Sequence, residues 1–151
     1  MTGKATLHVT AIALCAAFGS ALLVGRAAAD ETLTLVERAT SDTVTDLGAK
    51  GDSAGDILTF ANEVYDKSNA KKVGSDNGWC ARTAVGKAWE CIWTLTLDHG
   101  QITVEGPYYD TADSVLAVTG GTGEYADARG SMALHARNDK GTEYDFVYKL
   151  K

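Results

Sequence analysis

The residues best suited to chemistry in this chain of 151 residues are few and scattered. His99 and His135 have no carboxylate or cysteine at the spacing of metal ligands, so the sequence predicts no metal site. The glycine-rich run 120–123 lacks the Lys-Ser/Thr of a phosphate loop, and no serine lies in a nucleophile-elbow context. We therefore expect no metal and no other cofactor, and any chemistry must depend on isolated polar groups.

Two of the three cysteines, Cys80 and Cys91, are expected to bond to each other. The third, Cys15, lies in an apolar N-terminal segment that ends in small residues, which is typical of a secretory signal peptide. We predict a signal peptide at 1–29 and a mature domain at 30–151, with a short membrane anchor as the alternative. A secreted protein meets an oxidising environment, which favours a disulfide between the remaining pair.

Composition and charge exclude several classes of protein. The length fits one domain, and 45% apolar residues exclude a disordered chain. A net charge of -6 argues against binding to nucleic acid or to an anionic membrane surface, because phosphate binding needs an excess of Lys and Arg. We expect no nucleic-acid partner and, once the signal peptide is removed, no membrane partner.

Most of the predicted mature domain alternates between apolar and polar residues, as half-buried strands do. No stretch after residue 30 has a convincing apolar period of 3.6 residues, and the polar, Gly-rich segment 40–55 is interpreted as a loop. The sequence predicts an all-β domain, a closed antiparallel β-barrel of about eight strands with an apolar lumen. An open sandwich is the alternative. The predicted strands are 32–38, 56–65, 72–83, 89–97, 102–108, 115–119, 131–137 and 144–150.

Two hairpin turns predict which side chains share a face of the sheet. A turn at Val85–Gly86 pairs Cys80 with Cys91, and a turn at His99–Gly100 pairs Cys91 with Tyr108. Directly opposed residues point to the same side of a sheet, so all three side chains are expected in the lumen. The second turn also pairs Leu95 with Val104, on the face that carries Trp93.

The segment 100–130 resembles the allene oxide cyclase family, and its Gly-rich part is also similar to dirigent proteins, which share the barrel. The resemblance extends over about 115 residues, from 33 to 150. Its motifs are Gly106-Pro107-Tyr108, Asp113 and Leu116-Ala117-Val118-Thr119-Gly120-Gly121-Thr122-Gly123, with Gly55-Asp56, Phe60, Asn62, Val64-Tyr65, Val73-Gly74 and Gly78-Trp79-Cys80 upstream.

The resemblance implies a site in the lumen. The acidic residue of the family falls on Glu37, the asparagine that helps hold an epoxide oxygen through water falls on Asn62, and the aromatic residue after Gly-Pro is Tyr108. A buried carboxylate and aromatic faces stabilise the positive charge that ring opening develops. We predict these three as catalytic residues. The residues expected to contact substrate are Phe60, Cys80, Trp93 and Val104.

Three functions fit these expectations. The first is a secreted, cofactor-free isomerase or cyclase that closes a ring in a small hydrophobic substrate, by allene oxide cyclase-like or pericyclic chemistry. The second is a non-catalytic carrier of an apolar molecule, favoured because the second asparagine of the family pattern is replaced by Ala39. The third is a dirigent-type guide of radical coupling, which needs a partner oxidase. The resemblance also implies a homo-oligomer, a dimer or trimer.

Overall fold

The computed structural model describes residues 31–151, and the predicted signal peptide lies outside the described residues. Within that range the secondary structure consists of strands, and there is no helix that is long and apolar enough to cross a membrane. The strands are β1 Glu31–Arg38, β2 Thr43–Thr45, β3 Ile57–Asp66, β4 Lys72–Ala84, β5 Ala88–Leu97, β6 Gly100–Tyr109, β7 Ser114–Gly123, β8 Gly130–Ala136 and β9 Glu143–Leu150.

All neighbouring strands pair antiparallel, in the order β1-β9-β8-β7-β6-β5-β4-β3-β2. Strand β1 also pairs with β3, from Leu35 opposite Asp66 to Arg38 opposite Glu63, and this pairing closes the sheet. Eight strands therefore form a closed barrel, and β2 adds a ninth strand to the edge of β3 that β1 leaves free. The predicted barrel is confirmed, whereas β2 lies inside the segment interpreted as a loop.

The predicted register is correct for one hairpin and wrong for the other. Cys80 lies opposite Cys91, as expected. Between β5 and β6, however, Cys91 lies opposite Gly106, and Tyr108 lies opposite Trp89. The turn consists of residues 98–99, because Gly100 already belongs to β6.

Gly100 pairs with Gly123 of β7 and is therefore a strand residue. Only glycine fits at this position. Its φ is +152°, and a Cβ at this position would lie 2.1 Å from the carbonyl oxygen of Thr122. The observed β5–β6 register therefore differs from the predicted register by two residues, and Leu95 lies opposite Ile102 rather than Val104. A shift of two keeps every side chain on its face, and Tyr108 remains in the lumen.

The lumen is filled by side chains along most of its length. Tyr148 and Phe146 on β9 and Trp93 on β5 meet near its middle, with ring centroids of successive pairs 5.7 to 6.5 Å apart. Val104 is fully buried in this core. A barrel of eight strands is just wide enough for such packing or for one small ligand. A pocket lined by side chains of the lumen remains near one end of the barrel, which is called the open end below.

The open end carries the loops that follow β1, β4, β6 and β8. Near this end Cys80 and Cys91 face each other on adjacent strands with their Cα atoms 4.0 Å apart, and they form a disulfide. The bond links β4 to β5 across their hairpin, which fixes the wall of the lumen next to the opening.

Candidate active site

A pocket of about 70 Å³ lies at the open end of the barrel. The aromatic core closes the pocket towards the middle of the barrel, and side chains near the strand ends surround it towards the opening. The lining residues are Glu37, Asp42, Leu58, Phe60, Cys80, Cys91, Trp93, Tyr108, Leu134, Tyr144 and Phe146. The pocket is smaller than a typical site for a drug-sized ligand, roughly 300 to 1,000 Å³, so only part of a larger substrate would enter it.

The predicted site residues divide into those that line the pocket and those that do not. Glu37 and Tyr108 line it, and so do the predicted contact residues Phe60, Cys80 and Trp93. Cys80 does so as half of the disulfide and carries no free thiol. Asn62 lies behind the pocket wall, and Val104 lies deeper in the core.

Glu37 is the inward-facing side chain nearest the end of β1, and only 5% of its surface is exposed. Asn62 Nδ2 donates a hydrogen bond to Glu37 Oε1 over 2.9 Å. Burial raises the pKa of Glu37 well above its usual value, and the neighbouring charge of Asp76 raises it further, against the opposing effect of Asn62. Glu37 is therefore suited to hold a proton at neutral pH.

Asn62 organises the loop that covers the end of β1. Its Oδ1 accepts hydrogen bonds from the backbone N–H groups of Thr40 and Ser41, each 3.0 Å long. Its Nδ2 donates to Glu37 and, over 2.8 Å, to Asp42 Oδ1. An amide side chain has two donor hydrogens and two acceptor lone pairs, and all four are used here. Asn62 therefore positions Glu37 and Asp42 and has no group left for a substrate.

Asp76 on β4 is a site residue that the sequence analysis missed. It lies opposite Asn62 and opposite Leu95, is 1% exposed, and faces Glu37. The backbone N–H groups of Asn62 and of Asp76 itself lie close by, but neither reaches hydrogen-bonding geometry with its carboxylate oxygens. The proton of Glu37 is the remaining donor within reach. The register that pairs Cys80 with Cys91 already placed Asp76 on the inner face.

Glu37 and Asp76 are two buried carboxyl groups close enough to raise each other's cost of ionisation. Burial raises the pKa of Asp76 to about 7, while hydrogen bonding with Glu37 lowers it. The same contact raises the pKa of Glu37. Two adjacent buried carboxyl groups resist double ionisation, which favours a protonated Glu37.

Two tyrosine hydroxyls also lie at the pocket. Tyr108 and Tyr144 approach with their hydroxyl oxygens 3.1 Å apart and their rings nearly perpendicular. Tyr144 lies directly opposite Glu37 in the β1–β9 pairing. Burial raises the pKa of both hydroxyls, so they act as neutral hydrogen-bonding groups. Tyr144 was not predicted as a site residue, although the alternation along β9 places it on the inner face.

Arg82 connects the loops around the opening. Its guanidinium group lies 2.7 Å from Asp52 and donates from Nη1 to both carboxylate oxygens of Asp110. It also stacks on the ring of Trp89, 4.0 Å from the centroid. Asp52 belongs to the loop before β3 and Asp110 to the loop after β6, so one buried cation holds two loops at the rim.

A wider cleft of about 680 Å³ begins at the same rim and shares Tyr108, Leu134 and Tyr144 with the pocket. The rest of it is lined by residues 109–113 and 135–141, at the ends of β6 and β8 and in the loops that follow them, and most of these residues are charged or polar. A substrate larger than the pocket can therefore place one part among the aromatic rings and another in the polar cleft.

The fold and the site together define a small closed barrel with an aromatic, acidic pocket at one end. Within residues 31–151, no group of three or more His, Cys, Asp and Glu side chains is arranged to hold a metal ion. The chemistry available from the side chains is proton transfer by the carboxyl pair, with hydrogen bonding by the tyrosines and stabilisation of positive charge by the rings.

The family model described as allene oxide cyclase matches residues 34–138, and the chain belongs to this family. A structure described as a pyocyanin demethylase is similar with a TM-score of 0.67 and 29% identity, covering 78% of this chain and 100% of that chain. The pterocarpan synthase dirigent protein GePTS1 has a TM-score of 0.66 and 12% identity, with coverages of 89% and 96%. AbnU, an exo-specific intermolecular Diels–Alderase, has a TM-score of 0.65 and 15% identity, with coverages of 82% and 98%.

Proposed function

We propose that this protein is an isomerase or cyclase of a small, hydrophobic, unsaturated molecule. The observation that carries the proposal is the buried carboxyl group of Glu37 in the wall of an aromatic pocket, with the buried Asp76 behind it. Glu37 donates its proton to an oxygen or nitrogen of the substrate, and positive charge then develops on the carbon skeleton. The pocket rings stabilise that charge, and the narrow walls restrict the geometry of ring closure.

Asp76 and the tyrosines have supporting roles in this proposal. Asp76 keeps the proton on Glu37 before the reaction and can take part in its return afterwards. The hydroxyls of Tyr108 and Tyr144 orient a polar atom of the substrate at the opening. The chemistry is proton transfer, and the carboxyl pair supplies it without a further reagent.

We also propose that the protein acts outside the cytoplasm. The support is the apolar segment at 1–29 together with the Cys80–Cys91 disulfide, because disulfides persist in oxidising compartments.

The proposal is tested on a substrate identified from the protein itself. Small molecules that co-purify are extracted, identified by mass spectrometry and offered to wild-type protein and to Glu37→Gln. Glu105→Gln is the control, because Glu105 is an exposed carboxylate on β6. We expect a loss of about 100-fold or more in kcat for E37Q, since general acid catalysis contributes about 10² to 10⁴. Equal turnover by E37Q and E105Q would contradict the proposal.

Demethylation of pyocyanin is a second candidate. The favouring observation is 29% identity to a pyocyanin demethylase over the whole of that chain. The ring-lined pocket and the adjoining cleft also suit a flat heteroaromatic molecule. Release of the N-methyl group as formaldehyde needs water and a two-electron acceptor. Incubation with pyocyanin and an added acceptor, followed by chromatography for the demethylated ring and an assay for formaldehyde, tests it directly. Unchanged pyocyanin after many enzyme equivalents would leave the isomerase proposal in place.

A further inference from the structure

Two carboxyl groups of the pocket are held by one amide side chain. Glu37 and Asp42 both line the pocket. Asn62 Nδ2 donates one hydrogen bond to Glu37 Oε1 over 2.9 Å and another to Asp42 Oδ1 over 2.8 Å. The two N–H bonds of an amide diverge by about 120°, so these two acceptor oxygens lie roughly 5 Å apart. The spacing of the carboxyl groups is therefore set by a side chain that lies behind the pocket wall.

The two carboxyl groups differ in their contact with water. Glu37 is buried in the barrel, and burial raises its pKa, whereas Asp42 is an exposed residue of the loop after β1. Burial disfavours the charged form of a carboxyl group, and hydration stabilises it. A buried and a hydrated carboxyl group in the same site can divide the roles of acid and base between them.

The loop holds Asp42 in place at the pocket. Asn62 Oδ1 accepts hydrogen bonds from the backbone N–H groups of Thr40 and Ser41, the two residues before Asp42. The hydrogen bond from Asn62 uses Oδ1 of Asp42, which leaves Oδ2 of this carboxylate for a substrate. A base that is fixed before the substrate arrives loses little entropy in the reaction.

We propose that Asp42 is the general base of this pocket, and that Glu37 and Asp42 together shift a double bond in an enolisable carbonyl compound. Because it names the base and the substrate class of the same pocket, this inference rests on the proposed function. The substrate has a C–H bond between a carbonyl group and a carbon–carbon double bond, as in a β,γ-unsaturated ketone. Its carbonyl oxygen lies at Glu37, beside the hydroxyl groups of Tyr108 and Tyr144.

The reaction balances without any further reagent. Asp42 removes the proton from the carbon beside the carbonyl group, and the electrons of that C–H bond form a new carbon–carbon double bond. The carbonyl π electrons move to the oxygen, which takes the proton of Glu37 and gives a dienol. The dienol then takes the proton of Asp42 at its far carbon, and its oxygen returns the other proton to Glu37. Both side chains recover their starting states, and the double bond has moved into conjugation with the carbonyl group.

Cyclohex-3-en-1-one is a small probe for this reaction. Its product, cyclohex-2-en-1-one, is conjugated and is followed by its stronger ultraviolet absorbance. Rates are measured near neutral pH with wild-type protein, Asp42→Asn, Glu37→Gln and Asp98→Asn. Asp98→Asn is the control, because Asp98 is an exposed carboxylate in the turn between β5 and β6, at the other end of the barrel.

We expect wild type to accelerate the isomerisation over buffer, and Asp42→Asn to lower kcat about 100-fold or more, the usual contribution of a general base. The KM should stay within about threefold of wild type, because Asp42→Asn keeps an oxygen that can accept the hydrogen bond from Asn62. A purely structural role would not give this division between kcat and KM. The probe with deuterium at the carbon between its two functional groups should react several-fold more slowly, and Asp98→Asn should behave as wild type.

Equal rates with wild type and D42N, including an equal lack of catalysis, would overturn the inference. So would a loss in D42N that D98N shares. If D42N matches wild type while E37Q abolishes turnover of the substrate that co-purifies, Asp42 is not the base and the proposed function stands. If E37Q turns over that substrate as well as E105Q does, the proposed function fails, and the inference fails with it.

Discussion

Asp76→Asn should make the protein more stable at alkaline pH, although it removes a buried residue of the site. Asp76 is 1% exposed, and its carboxylate oxygens have no donor apart from the Glu37 proton. A group whose pKa is raised by folding holds its proton more tightly in the folded state than in the unfolded state. The free energy of unfolding therefore falls as the pH rises from the unfolded pKa towards the folded pKa.

The magnitude follows from the pKa of Asp76. Raising it from 3.8 to about 7 corresponds to about 4 kcal/mol of destabilisation once the group is ionised. The amide of Asn avoids this cost but brings an N–H donor that needs a partner, at about 1 to 3 kcal/mol. We expect D76N to raise the free energy of unfolding by about 1 to 3 kcal/mol at pH 8, and by much less at pH 5, where Asp76 is protonated in wild type.

The assay is urea denaturation followed by tryptophan fluorescence at several pH values between 5 and 8, with the disulfide intact. The pKa values of the Asp56, Glu63 and Asp66 carboxylates are lowered by folding. These groups are therefore ionised throughout this pH range, and their contribution to the free energy of unfolding does not change across it. The difference between variant and wild type should grow with pH. A difference that is constant with pH, or D76N less stable at pH 8 than at pH 5 relative to wild type, would refute the assignment of a buried, strained carboxyl pair.

Three further predictions concern other residues of the site. Tyr108→Phe leaves the Tyr144 hydroxyl without its partner, and we expect roughly tenfold lower kcat/KM on an identified substrate with an unchanged fold by circular dichroism; an unchanged rate would contradict a polar role. Reduction of the Cys80–Cys91 disulfide should lower the free energy of unfolding by about 2 to 3 kcal/mol in denaturant titrations, and a loss below about 0.5 kcal/mol would argue against its formation in solution. Asn62→Ala should cost about 2 to 4 kcal/mol and speed hydrogen exchange at the amides of residues 40 and 41, and unchanged protection there would contradict its role as an organiser of the loop.

The barrel was predictable because most of its strands alternate between apolar and polar residues and no helical apolar period appears after residue 30. The β4–β5 register followed from one turn and is confirmed by the Cys80–Cys91 pairing. The β5–β6 register was wrong because Gly100 was counted as a turn residue, whereas contact with β7 makes it a strand residue. Strand β2 could not be recognised, since its three residues are exposed and depend on a free edge of β3 that exists only after the barrel closes.

The site was partly predictable for a different reason. Glu37 and Tyr108 were identified through the resemblance to the family, and both line the pocket. The alternation along β4 and β9 places Asp76 and Tyr144 on the inner face. Alternation alone, however, does not show whether an acidic residue on that face is buried or lies at a solvent-exposed strand end. Only the closed barrel shows that Asp76 lies behind Glu37 and away from solvent.

Asn62 shows why a residue's role does not transfer with its position. The resemblance implies an asparagine that holds an oxygen of the substrate through water, and such a role needs a free N–H or lone pair. Here Thr40, Ser41, Glu37 and Asp42 use all of its hydrogen-bonding capacity. The acidic groups in or behind the pocket wall are Glu37, Asp42 and Asp76, and the proposed proton transfer therefore depends on Glu37 rather than on a water held by Asn62.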